Sequence, residues 1–277
     1  MSSSLERSAV MVTGAARGLG RALAIEAARR GAAVLVADVT EPAATAAAIE
    51  QLGGRVHASV ADITDYAAVE RLAELTVERF GGVNVLVNNA ATAVAGGLQD
   101  ADPAQARRTF EVNIVGTFNC IRAFYSGLAA AAERGEAAFV LNVGSEHSLG
   151  VPPHAPPTSV YTTTKYAILG LTDCARRDFA GTGVGVSMLA PGWILTERVR
   201  AAMEQSPEIA AMAGPTGQEP EHVAKAAFDG LLAGTTVIPT NPVSRRFALE
   251  HAYDLIADIQ ALPLVDDAGE AAGRAAR

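Results

Sequence analysis

Two cysteines, one tryptophan and an aromatic share of only 5% mark a chain of 277 residues by what it has little of. Cys120 and Cys174 both fall in helix-like segments, so the expectation is free thiols in a reducing compartment rather than a disulfide framework. Basic charge is also short. Lys and Arg number 22 against 30 Asp and Glu, a net −8, which argues against nucleic acid or an anionic membrane as partner. No apolar run reaches the roughly 18 residues of a membrane span. The first residues carry Glu6 and Arg7 where a secretory signal would have an apolar stretch. The five histidines lack paired spacing with cysteine or carboxylate, so no metal site is expected. Together these absences lead to the expectation of a cytoplasmic protein with a small-molecule partner.

What is present is regular. Apolar residues make up 49% of the chain, enough for a substantial core, and apolar runs alternate with helical patterns. Short β-like runs are expected at 9–13, 33–37, 55–60, 83–87, 137–143, 184–190 and 235–239. Helices are expected at 19–30, 41–51, 65–80, 103–134 with Asp102 as cap, 159–179, 221–232 and 246–259. Strands with unbroken apolar runs fit a parallel sheet buried on both faces. Repeated βα units then imply right-handed crossovers and a doubly wound α/β fold of about seven strands, one domain over 1–277. The segment 243–277 is expected to hold a C-terminal helix and then, after Val265, a small, charged tail that frays.

The first βα junction reads Thr13-Gly14-Ala15-Ala16-Arg17-Gly18-Leu19-Gly20. Glycine allows a tight turn, and a helix N-terminus directs free N–H groups at a diphosphate. The spacing is G-x-x-x-G-x-G, not the G-x-G-x-x-G of the general dinucleotide fingerprint. Asp38 ends the second strand, where a carboxylate can accept from ribose hydroxyls and repel a 2′-phosphate. Arg17 pulls the other way, because a guanidinium can pair with that phosphate. The balance favours NAD over NADP. Further on, Tyr161 and Lys165 stand four residues apart, on one helix face. A lysine at that distance should lower a tyrosine's proton affinity and suit it to acid–base work.

As a set, these residues resemble the short-chain dehydrogenase/reductase family in its common form of about 250 residues. The resemblance runs from Val10 to about Thr240. It rests on Thr13–Gly20, Asp38, Asp62, Asn88-Asn89-Ala90, Asn113, Ser145, Tyr161 with Lys165, and Pro191-Gly192. It implies Tyr161 as catalytic acid/base, Lys165 as its partner and a holder of the nicotinamide ribose, and Ser145 as a hydrogen-bond donor to the substrate oxygen. Asn113 would hold a water in a proton relay from Lys165. Gly14, Arg17, Gly18, Leu19 and Gly20 would receive the diphosphate, Asp62 and Ile63 the adenine, and Asn89 and Ala90 the cofactor ribose region. Pro191, Gly192 and Ile194 would lie against the nicotinamide amide, with Thr196 near the diphosphate.

Three departures from the family pattern stand out. Ala91 takes the place of a usual glycine. Ser145 precedes Tyr161 by sixteen residues where about thirteen is usual, so either the 150–159 loop carries an insertion or Ser148 is the catalytic serine. The C-terminal segment leads to a helix instead of the usual strand and glycine-rich tail, which leaves a homodimer as open as a homotetramer. The segment 193–217 is expected to form a substrate lid, with Glu146, His147, His154 and Trp193 as substrate-facing candidates. The leading expectation is an NAD(H)-dependent oxidoreductase interconverting a secondary alcohol and a ketone. The alternatives are an NADPH-dependent ketone reductase and a cofactor-binding sensor without turnover.

Overall fold

The computed structural model describes residues 5–262, so the frayed-tail expectation lies outside the described residues. Seven parallel strands form one sheet: β1 (Ala9–Thr13), β2 (Ala33–Asp38), β3 (Val56–Val60), β4 (Val85–Asn88), β5 (Phe139–Val143), β6 (Gly185–Ala190) and β7 (Val237–Pro239). Their order across the sheet is β3-β2-β1-β4-β5-β6-β7. Chain direction along the sheet therefore reverses between β1 and β4. Ligands of such sheets bind in the crevice outside the strand C-termini at that point.

The unbroken apolar runs are explained by burial on both faces. Val10, Val12, Val34, Val36, Val85 and Val87 enter one core. Their neighbours Met11, Leu35 and Leu86 enter the other. The first core is covered by α1 (Gly18–Arg29), α2 (Ala43–Gln51) and α9 (Pro220–Leu232), whose Leu23, Ile49 and Phe228 are fully buried. The second is covered by α3 (Tyr66–Phe80) and α5 (Thr117–Glu133), through Val69, Leu72, Phe124 and Leu128. Helix α6 (Ser159–Asp178) packs on β5 and β6.

The expected helix over 103–134 is three pieces. Asp102 does cap its start, accepting from Gln105 N at 2.8 Å, and α4 covers Pro103–Phe110. A π-helical turn, Glu111–Gly116, then separates it from α5. Two residues account for the break. Asn113 is bonded away from the helix, and a Cβ at Gly116 would meet Ile63 Cδ1 at 2.5 Å, so glycine lets the widened turn seat on Ile63. Such single π turns are frequent at functional sites.

The 193–217 segment holds two short helices, α7 (Glu197–Gln205) and α8 (Pro207–Ala213), capped by Thr196 and Ser206. Its ends are pinned together, Leu195 N donating to Gln218 O and Gln218 N to Trp193 O, each at 2.9 Å. The last helix, α10, runs from Ser244 to Gln260. No helix among the described residues is long and apolar enough to cross a membrane.

Phe228 has no exposed surface, seals α9 against the sheet, and lies under the Arg30 guanidinium at 5.6 Å. Phe228→Ala leaves a cavity, and urea unfolding should show a loss of about 3–5 kcal/mol with the slope unchanged.

Candidate active site

The site begins where β1 and β4 end side by side, Val12 opposite Val87. That register sets Thr13-Gly14 against Asn89-Ala90. Thr13 Oγ1 accepts from Asn89 N at 3.0 Å and Ala90 N at 3.1 Å, while Asn89 Nδ2 donates to Thr13 O and Gly14 O. The Asn89 amide therefore braces the glycine turn. The turn has no room for side chains. Gly14 sits at φ +64 with Ala90 Cα 2.7 Å from its would-be Cβ, and a Cβ on Gly20 would fall 2.0 Å from Gly14 O. At the start of α1, Arg17 offers no side-chain cap, and Gly18 N donates instead to the Glu197 carboxylate at 3.1 Å, so a negative group already sits where a helix N-terminus favours an anion.

A cleft of about 460 Å³ opens over this turn. Of the residues expected to hold a cofactor, its walls include Gly14, Arg17, Gly18, Leu19, Gly20 and Asp38 on one side. Asp62, Ile63, Asn89, Ala90 and Thr196 complete them, and Ala91 adds its methyl. Asp38 Oδ2 accepts from Ala16 N at 3.0 Å, and its Oδ1 from Thr40 N and Oγ1 at 3.1 and 3.2 Å. The carboxylate is thus fixed at the end of β2 beside the turn. Asp62 is not a helix cap. Asp65 has that role for α3, and Asp62 accepts from Thr64 and from Arg108 Nη2 at 2.8 Å. Burial pushes the Asp62 carboxyl up, but the Arg108 and Thr64 hydrogen bonds outweigh it and hold the group below its usual range. A helix start that attracts an anion, two placed carboxylates and a cleft of this volume fit a dinucleotide.

Pro191, Gly192 and Ile194 lie outside that lining, on the side of the acid–base cluster. Ser145 N–H and side chain begin that cluster just after β5. Ser145 Oγ donates to Pro191 O at 3.4 Å, and its side chain is near enough to the Tyr161 hydroxyl to favour the ionised phenol. Ser148 is elsewhere: its Oγ donates to Lys165 O at 2.7 Å and accepts from Ser145 N. The structure thus sets Ser145, rather than Ser148, against Tyr161. The extra residues before α6 form a short 3₁₀ turn, Glu146–Ser148, and a loop whose end is stitched to the post-β4 segment by Gly96 N to Pro157 O and Ser159 N to Gly96 O.

Lys165 is 3% exposed. Its Nζ donates to Val143 O at 2.7 Å and lies 5.4 Å from the Tyr161 ring centre. Burial pushes its ammonium down to about 8. The same burial pushes the Tyr161 hydroxyl up to about 12, a rise that the Ser145 hydrogen bond opposes and the Glu146 charge adds to. Burial therefore sets the direction of the Tyr161 shift, against the lowering expected from the Lys165 spacing. The lysine is turned to a backbone carbonyl, and desolvation of the phenol outweighs it. Asn113 also differs in its partners. Its amide donates to Thr92 O and Thr164 Oγ1 and accepts from Thr92 N, all at 2.8–2.9 Å. The side chain joins the cleft wall to α6 beside Lys165.

Of the substrate-facing candidates, Glu146 is corrected outright. Its carboxylate is buried and bonded to Ser244 and His154. His147 packs edge-on to Tyr161 at 5.4 Å. Burial, with the His154 and Lys165 charges, pushes it down to about 4 and keeps it neutral. Its Nδ1 meets Thr162 Oγ1 at 2.8 Å. Trp193 Nε1 is buried with no hydrogen-bond partner among the described residues, so it has a donor to offer an oxygen. Sequence reasoning missed Arg108, Thr92 and Glu197 of the cleft wall. Arg108 meets Asp62 across 46 positions, and no local pattern signals such a pair.

The family model described as short chain dehydrogenase matches residues 8–207. A short-chain dehydrogenase of Penicillium roqueforti is 32% identical over 221 residues, 73% of this chain and 79% of that protein. A 2,5-dichloro-2,5-cyclohexadiene-1,4-diol dehydrogenase of Sphingobium indicum is 32% identical over 204 residues, 73% and 78% of the two chains. Among solved structures, a short chain dehydrogenase/reductase from Burkholderia phymatum in complex with NAD superposes with a TM-score of 0.82 at 25% identity, covering 95% of this chain and 98% of that one. A chain from Agrobacterium tumefaciens with bound NADP does so at 0.74 and 25%, covering 86% and 96%. The chain belongs to the short-chain dehydrogenase family, nicotinamide-dependent dehydrogenases acting on CH–OH groups.

Proposed function

We propose that the protein interconverts a secondary alcohol and its ketone, using NAD(H) in preference to NADP(H), with Tyr161 as the acid–base group. The observation that carries this reading is the seating of Tyr161 beside a buried Lys165 and near Ser145, on a helix that Asn113 ties to Thr92 in the wall of the cleft. When bound, a nicotinamide cofactor supplies the hydride acceptor or donor.

The chain's own residues do the rest. Gly18, Leu19 and Gly20 at the start of α1 receive the diphosphate. Asp38 takes the adenosine ribose hydroxyls, and Asp62 with Ile63 flanks the adenine. Ser145 Oγ donates to the substrate oxygen and steadies it. Tyr161 takes the hydroxyl proton as the carbon loses hydride, or returns it in the reverse direction. Lys165, one helical turn away, stabilises the phenolate as it forms. Asn113 keeps α6 and the cleft wall in fixed relation. The 193–217 segment covers the substrate side, where Trp193 Nε1 offers a donor.

The NAD preference rests on Asp38, since a fixed carboxylate opposes a 2′-phosphate. A second reading, NADPH-dependent ketone reduction, is favoured by Arg17, Arg108 and Arg198, which line the same cleft. The NAD and NADP bound by related structures support both.

Tyr161→Phe should lower kcat/KM for a panel of secondary alcohols by about 10²–10⁴-fold and leave NADH affinity little changed. Because the Tyr161 hydroxyl is pushed up to about 12, its basic form keeps growing with pH below that value, so alcohol oxidation should rise from roughly pH 7 to 10 without levelling off, and ketone reduction should not. Initial rates by nicotinamide absorbance check both. Asp38→Ser should shift the NAD-to-NADP preference towards NADP by roughly tenfold or more, like charges in contact costing several kcal/mol. An unchanged ratio in paired titrations would remove the basis for the NAD assignment.

A further inference from the structure

Glu146 follows Ser145 directly and is a charged residue 3% exposed, with no part in the reaction described above. A buried carboxylate is costly unless its oxygens are met, and here both are. Oε2 accepts from Ser244 Oγ at 2.6 Å, and Oε1 lies 3.1 Å from His154 Nε2. Its backbone N donates to Pro191 O at 2.8 Å. Ser244 begins α10, whereas His154 belongs to the loop leading to α6. One side chain therefore gathers the Ser145 turn, the pre-α6 loop and the C-terminal helix.

The contacts around it agree. His154 packs on Phe247 of α10 at 5.8 Å. A Cβ on Gly150 would meet the same Phe247 ring at 2.9 Å. Tyr166 of α6 reaches His251 of α10 at 3.2 Å.

We propose that Glu146 is a positioning residue for the acid–base site. Its carboxylate holds the Ser145 turn to α10 through Ser244 and to the pre-α6 loop through His154. The first turn of α10 is thereby part of the catalytic framework. The charged and titratable groups facing Tyr161 are Lys165 on its own helix, His147 against its ring, and Glu146 with His154 behind it. Among these, the Glu146 charge opposes ionisation of the phenol, so removing it must ease that ionisation. The relevance to turnover rests on the reading of Tyr161 as the acid–base group.

The test needs no substrate. Ionisation of Tyr161 is followed by the tyrosinate ultraviolet band, taken as the difference between each protein and its Tyr161→Phe counterpart. Glu146→Gln keeps size and hydrogen bonding but loses the charge, and should bring the onset of ionisation to lower pH by about half a unit or more. Glu146→Asp keeps the charge and should restore an onset near that of the parent. Superimposable titrations for the parent and Glu146→Gln would overturn the proposal. Ser244→Ala gives a second readout should Glu146→Gln not fold. Amide exchange over 244–260 should quicken about tenfold, as expected for loss of a hydrogen bond to a charged group, while β5 is unaffected. Unchanged exchange there would also overturn it. Either failure leaves the dehydrogenase reading intact, and a silent alcohol panel leaves these measurements intact.

Discussion

The register between β1 and β4 is the constraint from which the site follows. Because Val12 lies opposite Val87, the chain leaving β1 and the chain leaving β4 emerge together, and the Thr13 hydroxyl and Asn89 amide tie them at four points. That joint fixes the glycine turn, which fixes the start of α1, which opens the cleft beside Asp38. A one-residue slip would exchange every inward side chain of β4 for an outward one and separate the turn from its brace.

The acid–base cluster is a second consequence of the same sheet, two strands along. There the physical balance is between burial and charge. Lys165 and Glu146 are drawn out of water and Tyr161 is half-buried beside the lysine, and burial weakens the lysine's hold on its proton while it strengthens the tyrosine's. Such opposed shifts mark functional sites more often than structural ones. Hydrogen bonds keep the cluster in one arrangement: Lys165 to Val143 O, Asn113 to Thr92 and Thr164, Glu146 to Ser244 and His154.

Most of the fold was legible because period and burial are local facts. The apolar runs at Ala9–Thr13 and Ala33–Asp38, and the capping Asp102, could be read from neighbours alone. The π turn could not, since it depends on Asn113 finding Thr164, 51 positions away, and on Gly116 meeting Ile63. For the site, the glycine turn and the Tyr161–Lys165 pair carry their spacing in the sequence. Arg108 on Asp62, Ser145 in preference to Ser148, and the inward turn of Glu146 towards Ser244 all arise from long-range packing. The balance at Tyr161 has a related reason: spacing reports which groups are near, but not how much water burial removes.

The most direct test of the account uses the single tryptophan, Trp193, at the start of the segment over the substrate side. NADH added to the protein should quench Trp193 fluorescence saturably, with one site per chain, and NAD should compete. Emission that NADH leaves unchanged, together with no heat of binding by calorimetry, would contradict a dinucleotide in this cleft and with it the hydride-transfer assignment.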